Sequence, residues 1–315
     1  MPELPEVETI LRGVLKFTKD KSVGKVKISS LSSFLGPKEL IEGQKIIGMR
    51  RFGKALIFDF ENGVSMMVHL RMTGQLIYRN LGTESGKDFV EMISQGDFKT
   101  ELFDKDGFSG GHPSESFYGG LPNKQTRVEI CEKDASGELE QVGTLYFNDQ
   151  RKFGFCKVLE TSEVENESFI KKLAKEPWDM TDEEFKKNLM RHKKALIKPT
   201  ILDQTVICGL GNIYADESLS FAKIHPERIV ESLTDEEIHQ LLIGARTVMQ
   251  DSIDSGGSTM ATYVKADGTK GDYLTKFAKV FRREGEPCER CGTEIIKIKV
   301  AGRGTHLCPH CQKKF

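Results

Sequence analysis

The chain opens with apolar residues at the three- and four-residue intervals of an α-helix. One face of a helix over residues 4–18 would carry Leu4, Val7, Ile10, Leu11, Val14 and Leu15. Because this spacing follows the helical period of about 3.6 residues, it predicts an amphipathic helix that begins almost at the first residue.

From about residue 24 to residue 160 the apolar segments become short and often alternate with polar positions. Gly, Asn and Asp bound these segments, as they do between antiparallel strands. The pattern favours a two-sheet β-sandwich with strands at 54–60, 64–70, 126–131 and 144–147. Residues 80–123 have weak periodicity, and Ser109-Gly110-Gly111 predicts a turn, so we expect an insertion loop there.

Helical spacing returns between about residues 163 and 253. Thr181 with Glu184, and Thr234 with Glu237, have the spacing of capping boxes at helix starts. Residues 254–275 are rich in Gly and Ser, which predicts a loop. The helices expected in this part of the chain cover 169–175, 181–190, 195–203, 213–222 and 234–253.

Four of the seven cysteines lie near the C-terminus, as two Cys-x-x-Cys pairs separated by 16 residues. Two such pairs supply four thiolates for one structural Zn²⁺, whose closed tetrahedral shell leaves no position for catalysis. Paired disulfides are the alternative, which an intracellular chain disfavours. The alternating residues between the pairs predict a metal-bound β-hairpin with Arg303 at its tip. The proposed zinc ligands are Cys288, Cys291, Cys308 and Cys311.

These patterns together predict an α+β, multidomain chain. An N-terminal helix and a two-sheet β-sandwich would occupy residues 1–160, with an insertion at about 80–123. A helical domain would follow at 161–285, and a four-cysteine zinc hairpin at 286–315.

Composition narrows the classes of function. Of the 315 residues, 38% are hydrophobic and 30% are charged, and no segment approaches the roughly 18 consecutive apolar residues of a membrane span. With no leader-like start, we expect an intracellular compartment and no membrane partner. The net charge of −1 is low for a nucleic-acid-binding protein. Basic residues nevertheless gather in four clusters, which together favour a shared phosphate-binding surface over separate solvated charges.

Five blocks of sequence carry a family resemblance, in order along the whole chain. They are Met-Pro-Glu-Leu-Pro-Glu-Val-Glu-Thr-Ile at 1–10, His-Leu-Arg-Met-Thr-Gly at 69–74, Asp-Gln-Arg-Lys-Phe-Gly at 149–154, Ile-Lys-Pro through Gly-Leu-Gly-Asn-Ile-Tyr-Ala at 197–215, and Gly-Glu-Pro-Cys through Cys-Gln at 285–312. The chain resembles the formamidopyrimidine-DNA glycosylase family. The resemblance implies that the helical domain is a helix–two-turns–helix domain and that residues 256–275, with Tyr263, form its damaged-base loop.

The second residue carries the chemistry that this resemblance implies. Removal of Met1 would leave Pro2 with a secondary amine, and α-amino groups titrate near pH ~8, so part of the population is neutral. A neutral amine can attack C1′ of a damaged nucleotide, displace the base and form an iminium. The iminium acidifies the sugar, so the 3′ and then the 5′ phosphate can be eliminated. Considered alone, Pro2 could instead simply start the helix.

Three further residues complete the predicted catalytic set. Glu3 could pass a proton to the sugar ring oxygen, although a carboxylate at this place also suits a helix N-terminus. Glu6, one turn on, could orient this end of the chain. By resemblance, Lys54 reaches the scissile phosphate and assists β-elimination, and Arg303 takes part in δ-elimination and phosphate binding.

A base inside a duplex must be flipped out before such chemistry, and the space it leaves must be filled. The resemblance assigns this role to Met72, Arg151 and Phe153, with Arg151 facing the orphaned base. For Met72 and Phe153, ordinary core packing is the alternative, and from the sequence alone it is the better one.

Other DNA contacts are expected around a glycine turn and at scattered polar residues. Residues 209–212 would lead into a helix whose backbone N–H groups hold a phosphate, with help from Asn212. His69 and Lys193 would contribute further contacts. Gln125 stands where the family usually has a histidine, so a phosphate contact there would have a different strength.

The sequence therefore predicts a bifunctional DNA glycosylase and abasic-site lyase of base excision repair. It would excise oxidised purines, such as 8-oxoguanine and formamidopyrimidines, from damaged double-stranded DNA by β,δ-elimination. We expect a monomer, which in a bacterium would be cytoplasmic and associated with the nucleoid. One alternative is an endonuclease VIII-like glycosylase for oxidised pyrimidines. The other is a non-catalytic binder of damaged DNA that keeps the zinc hairpin but not the amine chemistry.

Overall fold

The computed structural model describes residues 2–80, 107–112, 120–133, 141–258 and 273–314. Two compact units share these residues. The first unit holds residues 2, 6–170 and 256–258, less the gaps given above, and the second holds 3–5, 171–255 and 273–314. Most of the predicted 80–123 insertion and most of the predicted 256–275 loop, including Tyr263, lie outside the described residues.

The first unit is built from most of the first helix and from two β-sheets. Helix α1 (Leu4–Thr18) confirms the predicted N-terminal helix. The strands in chain order are β1 (Ser22–Ile28), β2 (Phe34–Leu35), β3 (Ile46–Phe52), β4 (Ala55–Phe60), β5 (Val64–His69), β6 (Gly74–Asn80), β7 (Gly107–Gly111), β8 (Thr126–Lys133), β9 (Gln141–Asp149) and β10 (Phe155–Glu160).

Across the described parts of this unit the strands form two five-stranded sheets. One sheet has the order β1-β8-β9-β6-β7, and the other has the order β2-β10-β5-β4-β3. Neighbouring strands are antiparallel, apart from the short parallel pair β2 and β10. Alternate side chains of both sheets, such as Phe58 and Phe147, share one core with Val7 and Ile10 of α1. The predicted two-sheet sandwich is therefore confirmed.

Strand β7 departs from the sequence-based expectation, because Ser109-Gly110-Gly111 was expected to turn. These residues instead pair with β6, from Gln75 opposite Gly111 to Arg79 opposite Gly107. Phe108 is buried in the sandwich core, while the glycines let this strand lie against backbone and aromatic groups that a Cβ atom would strike. A strand with one large apolar side chain shows no alternation, which explains why the pattern missed it.

The second unit is mainly helical. Its helices are α2 (Asp182–Met190), α3 (Ile197–Ile201), α4 (Asn212–Phe221), α5 (Asp235–Asp254) and the single turn α6 (Tyr273–Lys276). Both capping boxes are confirmed, since the Thr181 and Thr234 side chains accept from the backbone three residues on and each glutamate reaches back. Short 3-10 helices in the two units cover Leu31–Ser33, Lys38–Leu40, Thr161–Asn166, Pro177–Asp179 and Val230–Ser232.

The loop expected at 254–275 ends in the short helix α6. The predicted helix at 169–175 is wrong. Backbone groups near residue 175 bond to a distant segment instead of to the next turn. The Ala174 N–H donates to the Gln204 carbonyl at 2.8 Å, and the Cys208 N–H donates to the Lys175 carbonyl at 3.1 Å. These tertiary bonds replace the helical pattern that the apolar spacing suggested.

The C-terminal hairpin belongs to the second unit. Strands β11 (Ile296–Val300) and β12 (Arg303–Leu307) are antiparallel, and Val300 pairs with Arg303 across the turn. Ala301 and Gly302 have φ of 46° and 81°, the left-handed geometry of a tight hairpin turn. The predicted hairpin is therefore present, with Arg303 exposed beside its tip. Within the described ranges, no helix has the length and apolar character needed to cross a bilayer.

Candidate functional site

The antiparallel register brings several predicted site residues to one end of the sandwich. His69, the last residue of β5, pairs with Ala55 at the start of β4 and with Phe155 at the start of β10. The turn that carries Lys54 therefore lies at the same end of this sheet as the loop 150–154. Lys54 itself is half-buried.

The other sheet contributes to the same end of the sandwich. Asp149 at the end of β9 pairs with Gly74 at the start of β6. The Asp149 N–H donates to the Gln125 carbonyl at 2.9 Å, which places Gln125 beside it. The buried Arg127 side chain donates to the Asp149 carbonyl at 2.8 Å and to the Lys124 carbonyl at 3.1 Å. Arg127 is therefore used inside the protein and positions Gln125.

Asp149 organises the loop that follows it. Its fully buried carboxylate accepts from the Gly154 N–H at 2.7 Å and from the Arg151 N–H at 3.1 Å. It also accepts a short bond from the Thr73 hydroxyl. Charge-assisted bonds of this kind are stronger than neutral ones. They fix loop 150–154, in which Lys152 has a left-handed φ of 57°, against the segment that carries Met72.

This loop presents three exposed side chains together. Met72 is 43% exposed and Phe153 is 53% exposed, and Arg151 is exposed as well. The Arg151 guanidinium carbon lies 4.6 Å from the centroid of the Phe153 ring, and one guanidinium nitrogen lies 3.3 Å from the Met72 sulfur. Core packing, the better interpretation of Met72 and Phe153 from the sequence alone, is therefore wrong. Two apolar side chains and an arginine form one solvent-facing group, which we call the Met72–Arg151–Phe153 cluster.

His69 lies at this end as a neutral side chain. Its Nδ1 accepts the Arg71 N–H at 3.1 Å, so its ring proton is on Nε2. Burial, together with the nearby charges of Arg71 and Lys54, lowers the pKa of His69 to about 3. A neutral imidazole whose Nε2 donates can bind a phosphate oxygen, and it does not titrate near physiological pH.

Glu6 and Glu3, two carboxylates near Pro2 in the sequence, are held by separate hydrogen-bond networks. Pro2 is buried. In the first unit, the Glu6 carboxylate accepts from the Ser258 N–H at 2.9 Å and from its hydroxyl at 2.6 Å. Gly256 and Gly257, with φ of 80° and 95°, form the turn that brings Ser258 there. Glu6 therefore orients the start of the predicted damaged-base loop at 256–275.

In the second unit, the Glu3 carboxylate occupies the N-terminus of α4. It accepts from the N–H groups of Gly211 at 2.7 Å, Ile213 at 2.9 Å and Tyr214 at 3.4 Å. These donors and the positive end of the helix dipole stabilise a negatively charged Glu3. A carboxylate of the chain therefore uses three of the backbone N–H groups at the helix start where a phosphate contact was expected.

Asn212 and the zinc hairpin meet within the second unit. The Asn212 side-chain amide donates to the Gly304 carbonyl at 3.0 Å, next to the exposed Arg303. Lys198 donates to the same carbonyl at 3.1 Å and to the Thr305 hydroxyl at 2.7 Å. The start of α4 is therefore hydrogen-bonded to the hairpin at the residue that follows Arg303.

A buried ion pair fastens that hairpin. The Lys198 ammonium lies 2.6 Å from an Asp216 carboxylate oxygen, and the two side chains are 1% and 0% exposed. Burial lowers the pKa of Lys198, although the charge of Asp216 opposes this effect. The other Asp216 oxygen accepts the His306 N–H at 2.9 Å. Lys198 therefore stabilises the fold and is too buried to bind a phosphate.

The four C-terminal cysteines converge. Their sulfur atoms all lie within 4.8 Å of one another, and Cys291 Sγ is 3.5 Å from the sulfur atoms of both Cys308 and Cys311. A tetrahedral ion with Zn–S bonds of ~2.3 Å needs sulfur atoms roughly 3.8 Å apart. None of the seven cysteines is in a disulfide, so the disulfide alternative is wrong. The donor set fits one zinc ion.

Lys193, a further predicted site residue, belongs to the second unit. It is exposed on the turn between α2 and α3, and its carbonyl accepts the Glu231 N–H at 2.9 Å. Sequence reasoning missed the supporting residues Asp149, Arg127 and Asp216. Asp149 lies inside a block that carries the family resemblance, but its role depends on three partners that spacing does not show.

Comparison with known families accounts for these modules. Residues 1–156 match the formamidopyrimidine-DNA glycosylase N-terminal domain, residues 173–264 match the formamidopyrimidine-DNA glycosylase H2TH domain, and residues 285–314 match a zinc finger found in FPG and IleRS. The protein is thus of the class that joins a β-sandwich, an H2TH domain and a zinc finger. Its four cysteines hold one structural zinc ion.

Whole-chain relatives narrow this class to one family. The formamidopyrimidine-DNA glycosylases of Pediococcus pentosaceus and Pelotomaculum thermopropionicum are 37% and 36% identical, with 99% of each chain covered. Crystal structures of Lactococcus lactis Fpg, one a mutant with Fapy-dG containing DNA and one with an abasic site containing DNA, align at 32% identity. Both have a TM-score of 0.79 over 99% of this chain and 100% of theirs. The chain belongs to the formamidopyrimidine-DNA glycosylase family.

Proposed function

We propose that this protein is a DNA glycosylase and abasic-site lyase of base excision repair that acts on oxidised purines in double-stranded DNA. The observation that carries the proposal is the exposed Met72–Arg151–Phe153 cluster, held by a buried carboxylate. An apolar wedge with one arginine is suited to fill the gap that a flipped nucleotide leaves, and Arg151 can donate to acceptors of the orphaned base. The related Lactococcus lactis protein was crystallised with damaged DNA, which supports the same use here.

The chemistry that we assign to the chain begins at Pro2. After Met1 is removed, the proline nitrogen attacks C1′, the base leaves with a proton, and the opened sugar remains as an iminium on Pro2. Glu3, charged and fixed at the start of α4, takes a proton from the ammonium form of Pro2 before the attack and gives it to the sugar ring oxygen when the bond between C1′ and that oxygen breaks. Lys54 and Arg303 stabilise the phosphates that leave in the β- and δ-eliminations, and the zinc ion holds the hairpin that carries Arg303.

A covalent adduct tests this function directly. Borohydride added during reaction with an 8-oxoguanine duplex should reduce the iminium and leave the DNA attached to Pro2. The reason is that reduction converts a hydrolysable C=N bond into a stable amine. The measurement is mass spectrometry of the adduct, with peptide mapping to the first residue.

The matched control has the same sequence and no free proline amine. Inhibiting removal of Met1 during expression gives that protein, and it should form no adduct while its folding and zinc content stay unchanged. If the Met1-free, zinc-loaded protein binds the duplex but gives no adduct, the chain is the non-catalytic binder.

A second candidate substrate class comes from the comparison structures. Wild-type Lactococcus lactis Fpg has also been crystallised with DNA that contains an oxidised pyrimidine. Single-turnover rates on matched 8-oxoguanine and thymine glycol duplexes distinguish the two classes. We expect faster excision of 8-oxoguanine opposite cytosine, and faster thymine glycol excision would assign the chain to the pyrimidine branch.

Removing the Phe153 ring should weaken binding without harming the fold. Because Phe153 is 53% exposed, Phe153→Ala should leave the melting temperature within about 2 °C of wild type. Base–aromatic contacts contribute about 1–3 kcal/mol each, so affinity for an abasic-site duplex should fall roughly tenfold. Leu31→Ala is the control, since Leu31 is 83% exposed elsewhere in the first unit and should change neither quantity. Equal affinities of the wild type, Phe153→Ala and Leu31→Ala for the abasic-site duplex would contradict the proposal that Phe153 acts as a wedge.

The remaining assignments follow from this role. We propose that the helical and zinc-finger parts, residues 161–285 and 286–315, bind the DNA backbone while residues 1–160 carry the reacting amine. His69, Gln125, Lys193 and Asn212 would contribute contacts to DNA. We further propose a monomer that, in a bacterial cell, would act on chromosomal DNA in the cytoplasm.

A further inference from the structure

Two neighbouring arginines on β3 bond to different carboxylates. Arg50 forms a two-point bond to Asp59 on β4, with nitrogen–oxygen distances of 2.9 and 3.2 Å. Arg51 Nε donates to Glu8 Oε2 of α1 at 3.0 Å, and its Nη1 donates to the Gly53 carbonyl at 3.1 Å. Arg50 therefore links two strands of one sheet, whereas Arg51 links helix α1 to the β3–β4 turn.

That turn is the one that carries Lys54. Phe52 pairs with Ala55, so Gly53 and Lys54 alone make the connection, and Gly53 has a left-handed φ of 54°. The Gly53 carbonyl belongs to the same planar peptide unit as the Lys54 nitrogen. Holding this carbonyl fixes the peptide plane before Lys54, and the pairing of Ala55 restrains the backbone after it, so together they limit the direction in which the Lys54 side chain leaves the backbone.

The other end of the link is a charged and well-restrained carboxylate. Glu8 receives Arg51 on one oxygen and Arg12, at 2.8 Å, on the other. Burial would raise the pKa of Glu8, but the hydrogen bonds and charges of Arg51 and Arg12 more than offset this effect, and the pKa lies below its ordinary value. The Arg51 and Glu8 side chains are 12% and 18% exposed, so solvent screens this pair only in part.

We propose that the Glu8–Arg51 pair is a positioning device for Lys54, which sets the lysine relative to the helix that begins beside Pro2. Glu8 lies on α1, so Arg51 connects the helix that follows the nucleophile to the residue that we assign to phosphate elimination. This inference rests on the proposed function. Arg51 and Glu8 are positioning residues, because neither is placed in contact with the sugar or the phosphate.

This positioning role predicts that a substitution of Arg51 affects two steps of the reaction differently. In the chemistry that we propose, the Pro2 iminium forms without Lys54, whereas strand cleavage at the abasic sugar needs Lys54 to stabilise the leaving phosphate. Arg51→Lys cannot keep both bonds, since an ammonium lacks the fixed fork of a guanidinium. We expect the single-turnover rate of strand cleavage to fall about tenfold, while the yield of the borohydride adduct stays within twofold of wild type.

The neighbouring arginine supplies the matched control. Arg50→Lys makes the same chemical change one residue earlier on β3 and should keep both adduct yield and cleavage rate within about twofold of wild type. Combining Arg51→Lys with Lys54→Ala should be no slower than Lys54→Ala alone, because the first change acts through the second residue. Additive losses in the double variant would overturn the proposal.

The outcomes separate this inference from the function on which it rests. No adduct with wild-type protein overturns both. If the wild-type protein forms the adduct, two results for Arg51→Lys overturn the positioning role alone. One is strand cleavage as fast as in the wild type, and the other is a loss of adduct yield and cleavage rate by the same factor. If Arg51→Lys does not fold, Glu8→Gln replaces it; this change removes the charge but keeps an acceptor, and cleavage should fall by a smaller factor with an unchanged adduct yield.

Discussion

Replacing Cys308 with alanine is expected to remove the zinc ion and disorder the hairpin that carries Arg303. Cys308 is fully buried, and it lies in a small apolar cluster with Val280, Cys288 and Ile295. A two-stranded hairpin with so small a core is marginal in water. Structural zinc supplies about 10–16 kcal/mol in isolated zinc-finger peptides, far more than this cluster can provide.

The loss should appear in metal content and in DNA affinity. Zinc measured by elemental mass spectrometry should fall from one ion per chain to a small fraction. Affinity for an abasic-site duplex should fall by roughly an order of magnitude or more, because the phosphate contacts that we propose for the hairpin would be lost together. Cys131→Ala is the control, since Cys131 lies half-buried on β8 and outside the four-cysteine group. Full zinc content and full affinity in Cys308→Ala would show that the metal does not hold this module.

The features that the sequence predicted correctly are local ones. The helical period of residues 4–18, the two capping boxes and the two Cys-x-x-Cys pairs each depend on residues within a few positions of one another. Local spacing reports the backbone conformation directly, because side chains three or four residues apart share a helical face. The predicted sandwich followed from alternation in the same way.

The features that the sequence missed depend on partners far along the chain. Glu3 reaches Gly211, and Lys198 reaches Asp216 and Gly304, across tens to hundreds of residues. A charged residue in a sequence looks the same whether it faces water or lies buried against its partner, so spacing could not show that Lys198 is internal. The helix predicted at 169–175 is wrong for the same reason, because backbone hydrogen bonds from this segment to residues 204–208 override its apolar pattern.

The exposed Met72–Arg151–Phe153 cluster illustrates a different limit. Met72 and Phe153 are apolar, and apolar residues are more often buried than exposed. Family resemblance assigned both to DNA, and the structure leaves both largely exposed because Asp149 fixes the adjoining loop by hydrogen bonds. Binding residues often violate the hydrophobic pattern, since exposed apolar surface is what a partner covers.

Breaking the Lys198–Asp216 pair should destabilise the second unit severely. Lys198→Met keeps the length and apolar stem of the side chain but leaves the Asp216 charge buried without its cation. Removing one partner of a buried pair costs about 3–5 kcal/mol, which is a large fraction of the stability of a domain. At about 2–4 °C per kcal/mol for a unit of this size, the melting temperature of the second unit should fall by roughly 10 °C.

The same substitution at the surface provides the comparison. Lys186 lies 2.6 Å from Asp235, with side chains 45% and 78% exposed, and exposed pairs contribute about 0–1 kcal/mol. Lys186→Met should therefore change the melting temperature by no more than a few degrees. In Lys198→Met, hydrogen exchange should also accelerate in β12, because the Gly304 carbonyl and the Thr305 hydroxyl lose the ammonium that holds them. Equal melting temperatures for the two variants would mean that the hairpin is held by the zinc site and Asn212 without this ion pair.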